Sequence, residues 1–199
     1  MESITCPKII TLALYFLAIT SLLAGKSEAS SYKKPNTNTI EFIKTSCGVT
    51  LYPDICYKTL SGYASTIKTS PTQLANAALN VTLGVAQNTS AAVEKMLEER
   101  NLKPKEAGAL KDCVETLGDS VDDLQQSLGA MKYLEGPEFE LQMSNIQTWV
   151  SAALTDEDTC TDGFEEVTKK GKVKRIVREY VVTLAQLTSN ALALVNNLN

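Results

Sequence analysis

The chain has 199 residues, enough for one domain with appendages; 44% are hydrophobic but only 6% aromatic. Ala, Leu and Val carry the apolar content, which favours helix packed on helix over a β-sandwich. With 19 basic and 23 acidic residues, a net charge of −4 and no histidine, the chain lacks the cation excess that nucleic acid demands and cannot build a Ser-His-Asp or Cys-His catalytic set.

In chain order, the first segment reads as a targeting signal. Lys8 precedes the apolar run Ile9–Ala24, and Ser27-Glu28-Ala29 supplies a small-x-small cleavage pattern. The run is shorter than the roughly 20 residues that a membrane span needs. Residues 1–29 are therefore expected to leave as a secretory signal peptide, taking Cys6, Lys8, Lys26, Glu2 and Glu28 with them. The remainder keeps the same net charge and suits a basic partner.

Residues 30–69 form an N-terminal segment: a polar stretch, short helices over Thr39–Ser46 and Pro53–Ser61, and a linker over 62–69. A four-helix bundle over 70–199 follows. Ser70-Pro71-Thr72-Gln73 is a strong helix start, with Ser as N-cap, Pro in the first turn and Gln completing a capping box. That helix runs to about Glu99, with Leu74, Ala78, Val81 and Val85 on one stripe and Leu79, Leu83, Ala86 and Val93 on a second. The next starts at Pro104 and reaches about Lys132; Leu110, Val114, Leu117, Val121, Leu124 and Leu128 repeat by four and three, a bundle seam. A third runs from about Phe139 to Leu154 on Met143, Ile146, Val150 and Ala153. It is expected to continue irregularly to Val167, with Thr155 and Thr159 as restart caps. After a turn at 168–172, the last helix carries Val173, Val177, Tyr180, Leu184, Leu187, Ala191, Leu194 and Leu198. The expected fold is all-α: an antiparallel up-and-down four-helix bundle with an N-terminal disulfide-stapled helical hairpin.

Four cysteines remain after cleavage: Cys47, Cys56, Cys113 and Cys160. They allow three connectivities. An oxidising compartment favours Cys47–Cys56 and Cys113–Cys160, stabilising by about 2–3 and about 4 kcal/mol in the chain-entropy picture. The competing reading is a zinc site, which lacks both a CxxC pair and any histidine. Two glycosylation sequons occur, at Asn80 and Asn88, with Asn80 on a polar sector and Asn88 at a stripe's edge. The densest carboxylate cluster is Asp156, Glu157, Asp158, Asp162, Glu165 and Glu166. As a calcium loop it fails, since Cys160 and Thr161 stand where Asp/Asn and Gly are needed; it reads as helix capping and solvated surface. The basic run Lys169, Lys170, Lys172, Lys174, Arg175 and Arg178 reads as a solvated turn and helix start. No phosphate loop or dinucleotide fingerprint is present, so no catalytic group, metal or cofactor is expected.

The cysteine framework and its neighbours resemble a known family. The relevant text is Ile43-Lys44-Thr45-Ser46-Cys47 with Tyr52-Pro53-Asp54-Ile55-Cys56, Leu110-Lys111-Asp112-Cys113-Val114-Glu115, Trp149-Val150-Ser151-Ala152-Ala153-Leu154-Thr155, Asp158-Thr159-Cys160-Thr161-Asp162-Gly163-Phe164, and Thr188-Ser189-Asn190-Ala191-Leu192-Ala193-Leu194. Taken together these resemble the plant invertase and pectin methylesterase inhibitor family, in particular its 21 kDa-type pectinesterase inhibitors, over about residues 38–199. The resemblance implies a non-enzymatic protein of the cell wall or apoplast, expected to be a monomer, free of membrane after signal cleavage and free-standing rather than fused to an esterase. It implies a 1:1 complex with pectin methylesterase in which the pectin-binding cleft is blocked.

Invertase inhibition is the alternative, and a wall interaction protein that inhibits nothing is a third. Invertase inhibitors resemble one another in a Pro-Lys-Phe motif; here the text is Pro137-Glu138-Phe139, which inverts the charge. Carried over residue by residue, the resemblance gives Glu115, Asp119, Asp122, Thr159 and Asp162, with Gln147 as a softer match, as the target-binding set. Spacings of four and three put Glu115, Asp119 and Asp122 on one face, away from Leu117, Val121 and Leu124.

Overall fold

Helix starts and stops follow local chemistry from the first described residues onward. The structure is a computed structural model that describes residues 36–99, 101–165, 167 and 171–198. The expected signal peptide with Cys6, the polar stretch as far as residue 35, Glu166, Lys169 and Lys170 lie outside the described residues.

Asn36 caps the first helix, its side-chain oxygen accepting from the Asn38 N–H at 3.1 Å. Helix α1 spans Thr37–Cys47 and α2 spans Pro53–Leu60, with Pro53 in the first turn where no N–H partner is needed. A disulfide joins Cys47 to Cys56 across the loop between them. The segment expected to be a linker is instead helical: a 3₁₀ turn over Ser61–Tyr63 leads into a single turn, α3, at Ala64–Ile67. The reason is packing, because Ala64 and Ile67, three residues apart, are both buried in the core. The flanking Ser, Thr and Lys residues hide that pair in the sequence. At Lys68 the chain turns with φ of 54°, the one positive φ at a non-glycine among the described residues.

Four long helices follow: α4 Pro71–Leu97, α5 Pro104–Ala130, α6 Phe139–Asp162 and α7 Lys172–Asn196. Ser70 caps α4, its hydroxyl oxygen accepting from the Gln73 N–H at 3.3 Å. Glu106 reaches back to the Lys103 N–H at 3.2 Å and starts α5. A 3₁₀ turn at Met131–Tyr133 ends the second long helix. Each bundle helix packs on two others, α4 on α5 and α7, and α6 on α5 and α7. Short connections make sequential neighbours antiparallel. The all-α bundle read from the sequence is the fold of the chain.

The core runs along one line of each helix. Leu79, Ala86 and Val93 on α4 meet Leu110, Leu117 and Leu124 on α5, Met143, Ile146, Val150 and Ala153 on α6, and Val177, Val181, Leu184 and Ala191 on α7, all buried. Details differ from the sequence pattern: on α5, Ser120 and Ser127 are buried while Val114, Val121 and Leu128 are only partly so. Tyr180 is 48% exposed, and Val181 takes the buried place; a four-three period fits either residue, and the smaller branched side chain fills the interior. On α4 the buried line includes Thr82 and Thr89. Thr82 is tolerated there because its hydroxyl donates to the Ala78 carbonyl at 2.8 Å.

The third bundle helix does not break. It is continuous to Asp162, and Thr155 and Thr159 are not caps: their hydroxyls donate to the Ser151 and Thr155 carbonyls at 3.0 and 2.8 Å. The buried line Met143, Ile146, Val150, Ala153 runs on through Glu157 to Cys160, which is bonded to Cys113 on α5. Gly163 then ends the helix.

Asn190 fastens the hairpin to the bundle. On α7 and 3% exposed, it accepts from the Tyr52 N–H at 3.0 Å and donates to the Tyr52 carbonyl at 2.9 Å. Both backbone groups of one loop residue are thus satisfied by a single amide. Among the described residues, no helix is long and apolar enough to cross a membrane. Asn190→Ala is expected to lower unfolding stability in urea by about 2–3 kcal/mol, since it removes two hydrogen bonds and strands two backbone groups. Amide exchange should accelerate at residues 47–56 before it does in the bundle.

Candidate functional site

On α5, Glu115, Asp119 and Asp122 are all exposed, with buried Leu117 and Leu124 on the opposite side. Spacings of four and three hold the carboxylates in line, and the buried leucines fix which way that line faces.

Two further carboxylates join the line. Asp123 lies at its edge, and Asp156 approaches across the packed pair α5 and α6. Both are held above the usual carboxylate range. Partial burial is the larger cause for each. Asp123 also feels the charges of Asp119 and Asp122, and Asp156 those of Asp119 and Asp123. Asp119 is thus the common neighbour. The ridge is a repulsive cluster with no cation among the causes of either shift. Among the described residues, no group of His, Cys, Asp and Glu could hold a metal ion.

On α6, beside this ridge, Thr155 and Thr159 are exposed. Each hydroxyl proton is committed to a backbone carbonyl. A hydroxyl has one proton, so these oxygens keep only acceptor capacity for a visitor. Carboxylates and committed hydroxyls together make a surface of acceptors. Such a surface is complementary to Lys and Arg side chains and free N–H groups.

The remaining candidates lie elsewhere. Asp162 lines a cleft between α6 and α7 with Asp158, Glu165, Lys174 and Arg178. There Lys174 Nζ stands 3.2 Å, and Arg178 3.8 Å, from the Glu165 carboxylate. The described part of the basic run is therefore partly neutralised rather than a free cationic patch. Gln147 is half-buried and lies about a third of a turn around α6 from Thr159, twelve residues on. The structure brings Glu115, Asp119 and Asp122 into one line with Asp123 and Asp156; it does not add Gln147 or Asp162 to it. Glu138 is exposed immediately before α6, where the helix N-terminus favours negative charge, and its carboxylate accepts from Gln142 at 3.4 Å. Asn80 and Asn88 are exposed on α4, while Thr82 and Thr89 of their sequons are buried.

One member of the expected solvated cluster is not solvated. Glu157 is 0% exposed. Its Oε1 lies 2.9 Å from Ser120 Oγ on α5 and 2.8 Å from Thr188 Oγ1 on α7. Burial outweighs those hydrogen bonds and pushes its carboxyl up to about 8. The sequence held a signal for this: Val150, Ala153, Glu157 and Cys160 continue the buried four-three repeat. At the hairpin tip, Val49 and Leu51 are 68% and 71% exposed, an apolar pair that the sequence pattern did not single out.

Residues 41–194 match the family described as Plant invertase/pectin methylesterase inhibitor. Pectinesterase inhibitor 10 of Arabidopsis thaliana is 50% identical over 164 residues, covering 81% of this chain and 52% of that protein, so the chain spans about half the length of that relative. The 21 kDa protein of Daucus carota is 44% identical over 187 residues, covering 92% of this chain and 93% of that one. The crystal structure of mutant form A of a pectin methylesterase inhibitor from Arabidopsis superposes with a TM-score of 0.64 at 22% identity, covering 79% of this chain and 97% of that chain. That last likeness is one of fold.

Asp119→Asn is expected to move the titrations of both Asp123 and Asp156 down towards the ordinary carboxylate range, because it removes a negative charge that both groups share. Side-chain carboxyl ¹³C shifts followed against pH check this.

Proposed function

The chain belongs to the plant invertase/pectin methylesterase inhibitor family, and we propose that it inhibits pectin methylesterase by binding one enzyme molecule and covering its pectin-binding cleft. The observation that carries this reading is the line of carboxylates on α5, extended by Asp156 on α6, joined to relatives of 44–50% identity, one of them named a pectinesterase inhibitor. The inhibitor performs no chemistry. It occupies space and excludes substrate, and its carboxylates meet donors on the rim of the enzyme's cleft.

The physics of such a contact sets its kinetics. Charge on the rim speeds encounter more than it adds affinity, and salt weakens that steering. Affinity then rests on how well the desolvated centre of the contact pairs its donors and acceptors. Thr155 and Thr159 suit that centre because they bring acceptors without the desolvation penalty of a full charge. In this reading the chain works as a monomer outside the cell, in the wall, after removal of residues 1–29, with glycans accepted at Asn80 or Asn88 on α4. Neither asparagine belongs to the ridge.

Invertase is the rival target, and Glu138 argues against it. A partner that expects a cation beside Pro137 and Phe139 meets an exposed carboxylate instead.

The combined variant Glu115→Gln, Asp119→Asn, Asp122→Asn is expected to weaken inhibition of a basic plant pectin methylesterase by about tenfold or more, mostly through slower association, and to flatten its salt dependence. The parent protein should inhibit that enzyme at a 1:1 ratio and leave a wall invertase running. A folded triple variant as potent as its parent removes the ridge from the interface. A parent that stops the invertase and not the esterase overturns the target.

A further inference from the structure

Glu157 has no part in the proposed contact, yet its burial is costly. A carboxyl group with no exposed surface must stay neutral or find a full complement of donors. Among the described residues Oε2 has no hydrogen-bond partner, and Oε1 faces two hydroxyls. Those hydroxyls come from two other helices, Ser120 from α5 and Thr188 from α7. Thr188 Oγ1 also lies 3.1 Å from the Leu184 carbonyl oxygen.

Counting protons shows which form fits. Thr188 has one proton, and both the Leu184 carbonyl and Glu157 Oε1 are in reach of it. If Glu157 is ionised, Thr188 must abandon one of them, and a charge with one or two donors is sealed in the core. If Glu157 is neutral with its proton on Oε1, that proton goes to Thr188 Oγ1, Thr188 donates to Leu184, and Ser120 donates to Oε1. Every hydroxyl proton then has an acceptor, and only the lone pairs of a neutral carbonyl oxygen, Oε2, are unpaired.

We propose that Glu157 is a pH-sensitive lock at the junction of α5, α6 and α7: uncharged it closes a hydrogen-bonded bridge between the three helices, and its ionisation loosens them. Beyond those two hydroxyls, whose hydrogen bonds burial outweighs, the neighbouring charges offer the ionised form no relief. On its own helix the neighbouring titratable groups are Asp156 and Asp158, both adding repulsion. On α5 the facing side chain is Ser120, and the nearest acids, Asp119 and Asp123, act on Asp156 with the same sign. On α7 it is Thr188; the cations Lys174 and Arg178 stand further towards the start of that helix and are taken up by Glu165. The opposite helix α4 turns Leu79, Thr82 and Ala86 to the core, none of which titrates.

The direction follows from linkage. The folded carboxyl titrates at about 8, above its ordinary value of 4.5. Its stabilising effect is therefore complete below about pH 4.5, declines as pH rises, and is gone above about pH 8. An acid compartment keeps the bundle tight, and a neutral to alkaline one relaxes it. This lock belongs to the free chain and does not depend on which enzyme the chain binds.

Thermal unfolding of the disulfide-intact protein tests it. From pH 5 to pH 8.5 the midpoint of the parent is expected to fall by roughly 10 °C. Glu157→Gln should lose most of that fall, whereas Asp156→Asn at the surface should keep most of it. A glutamine variant with the parent's pH slope, or an asparagine variant that abolishes the slope, overturns the proposal. If Glu157→Gln does not fold, the carboxyl ¹³C titration of Glu157 in the parent, assigned through its own backbone, decides instead: a midpoint above pH 6.5 supports the lock, and one at or below pH 6.5 refutes it.

Discussion

The packing of α5 against α6 orients everything on the acidic side of the molecule. Leu110, Leu117 and Leu124 and the α6 residues Met143, Ile146, Val150 and Ala153 share one buried interior, and the Cys113–Cys160 bond holds the two helices at one end of that contact. Once those apolar lines are turned inward, helical periodicity leaves no choice about the rest. Glu115, Asp119 and Asp122 must point outward, Asp123 and Asp156 must meet at the groove, and Glu157 must enter the core. An acidic surface and a buried acid are two consequences of one packing arrangement.

That arrangement carries an electrostatic cost that the fold manages differently in its two places. At the surface, water screens Asp119, Asp122, Asp123 and Asp156 enough for them to coexist, with Asp123 and Asp156 retaining protons to higher pH than usual. In the interior no such screening exists, and two hydroxyls bracket the Glu157 carboxyl. The surface cluster is well suited to a partner that brings cations, since binding relieves a repulsion already present in the free chain. Such preparation favours association without any moving part in the chain. One disulfide in the N-terminal hairpin, a second between α5 and α6, and the Asn190 clamp on Tyr52 point the same way, towards a scaffold that presents a fixed surface.

Much of this was legible in the sequence because bundle helices announce themselves by period. The seams of α5 and α6 are mostly apolar at every fourth and third place, and the Ser70-Pro71 start and the Pro104 start are local signals that need no tertiary help. The points of difference share a cause. Thr155 and Thr159 look like caps because Ser and Thr bond locally to the backbone, but the same hydroxyls can bond backwards inside a helix, and only tertiary packing selects between the two. Tyr180 and Val181 compete for one buried place under the same repeat. Residues 62–69 are polar in composition, yet a single buried pair, Ala64 and Ile67, is enough to fold them. For Glu157 residue type outvoted position, since a glutamate between two aspartates reads as surface although its place in the repeat is interior. The line of Glu115, Asp119 and Asp122 was visible from spacing alone. Its extension across to Asp156 was not, because it depends on how two helices lie against each other, and neither does spacing separate Gln147 and Asp162 from that line.

The most direct test of the proposed contact is hydrogen–deuterium exchange of the disulfide-intact chain, alone and saturated with a plant pectin methylesterase. The account predicts added protection concentrated on α5 around residues 112–123 and on α6 around residues 151–160, with α4, α7 and the Cys47–Cys56 loop unchanged. Protection confined to the hairpin tip at Val49 and Leu51 or to the α4 and α7 side, or none at all at saturating enzyme, would contradict it.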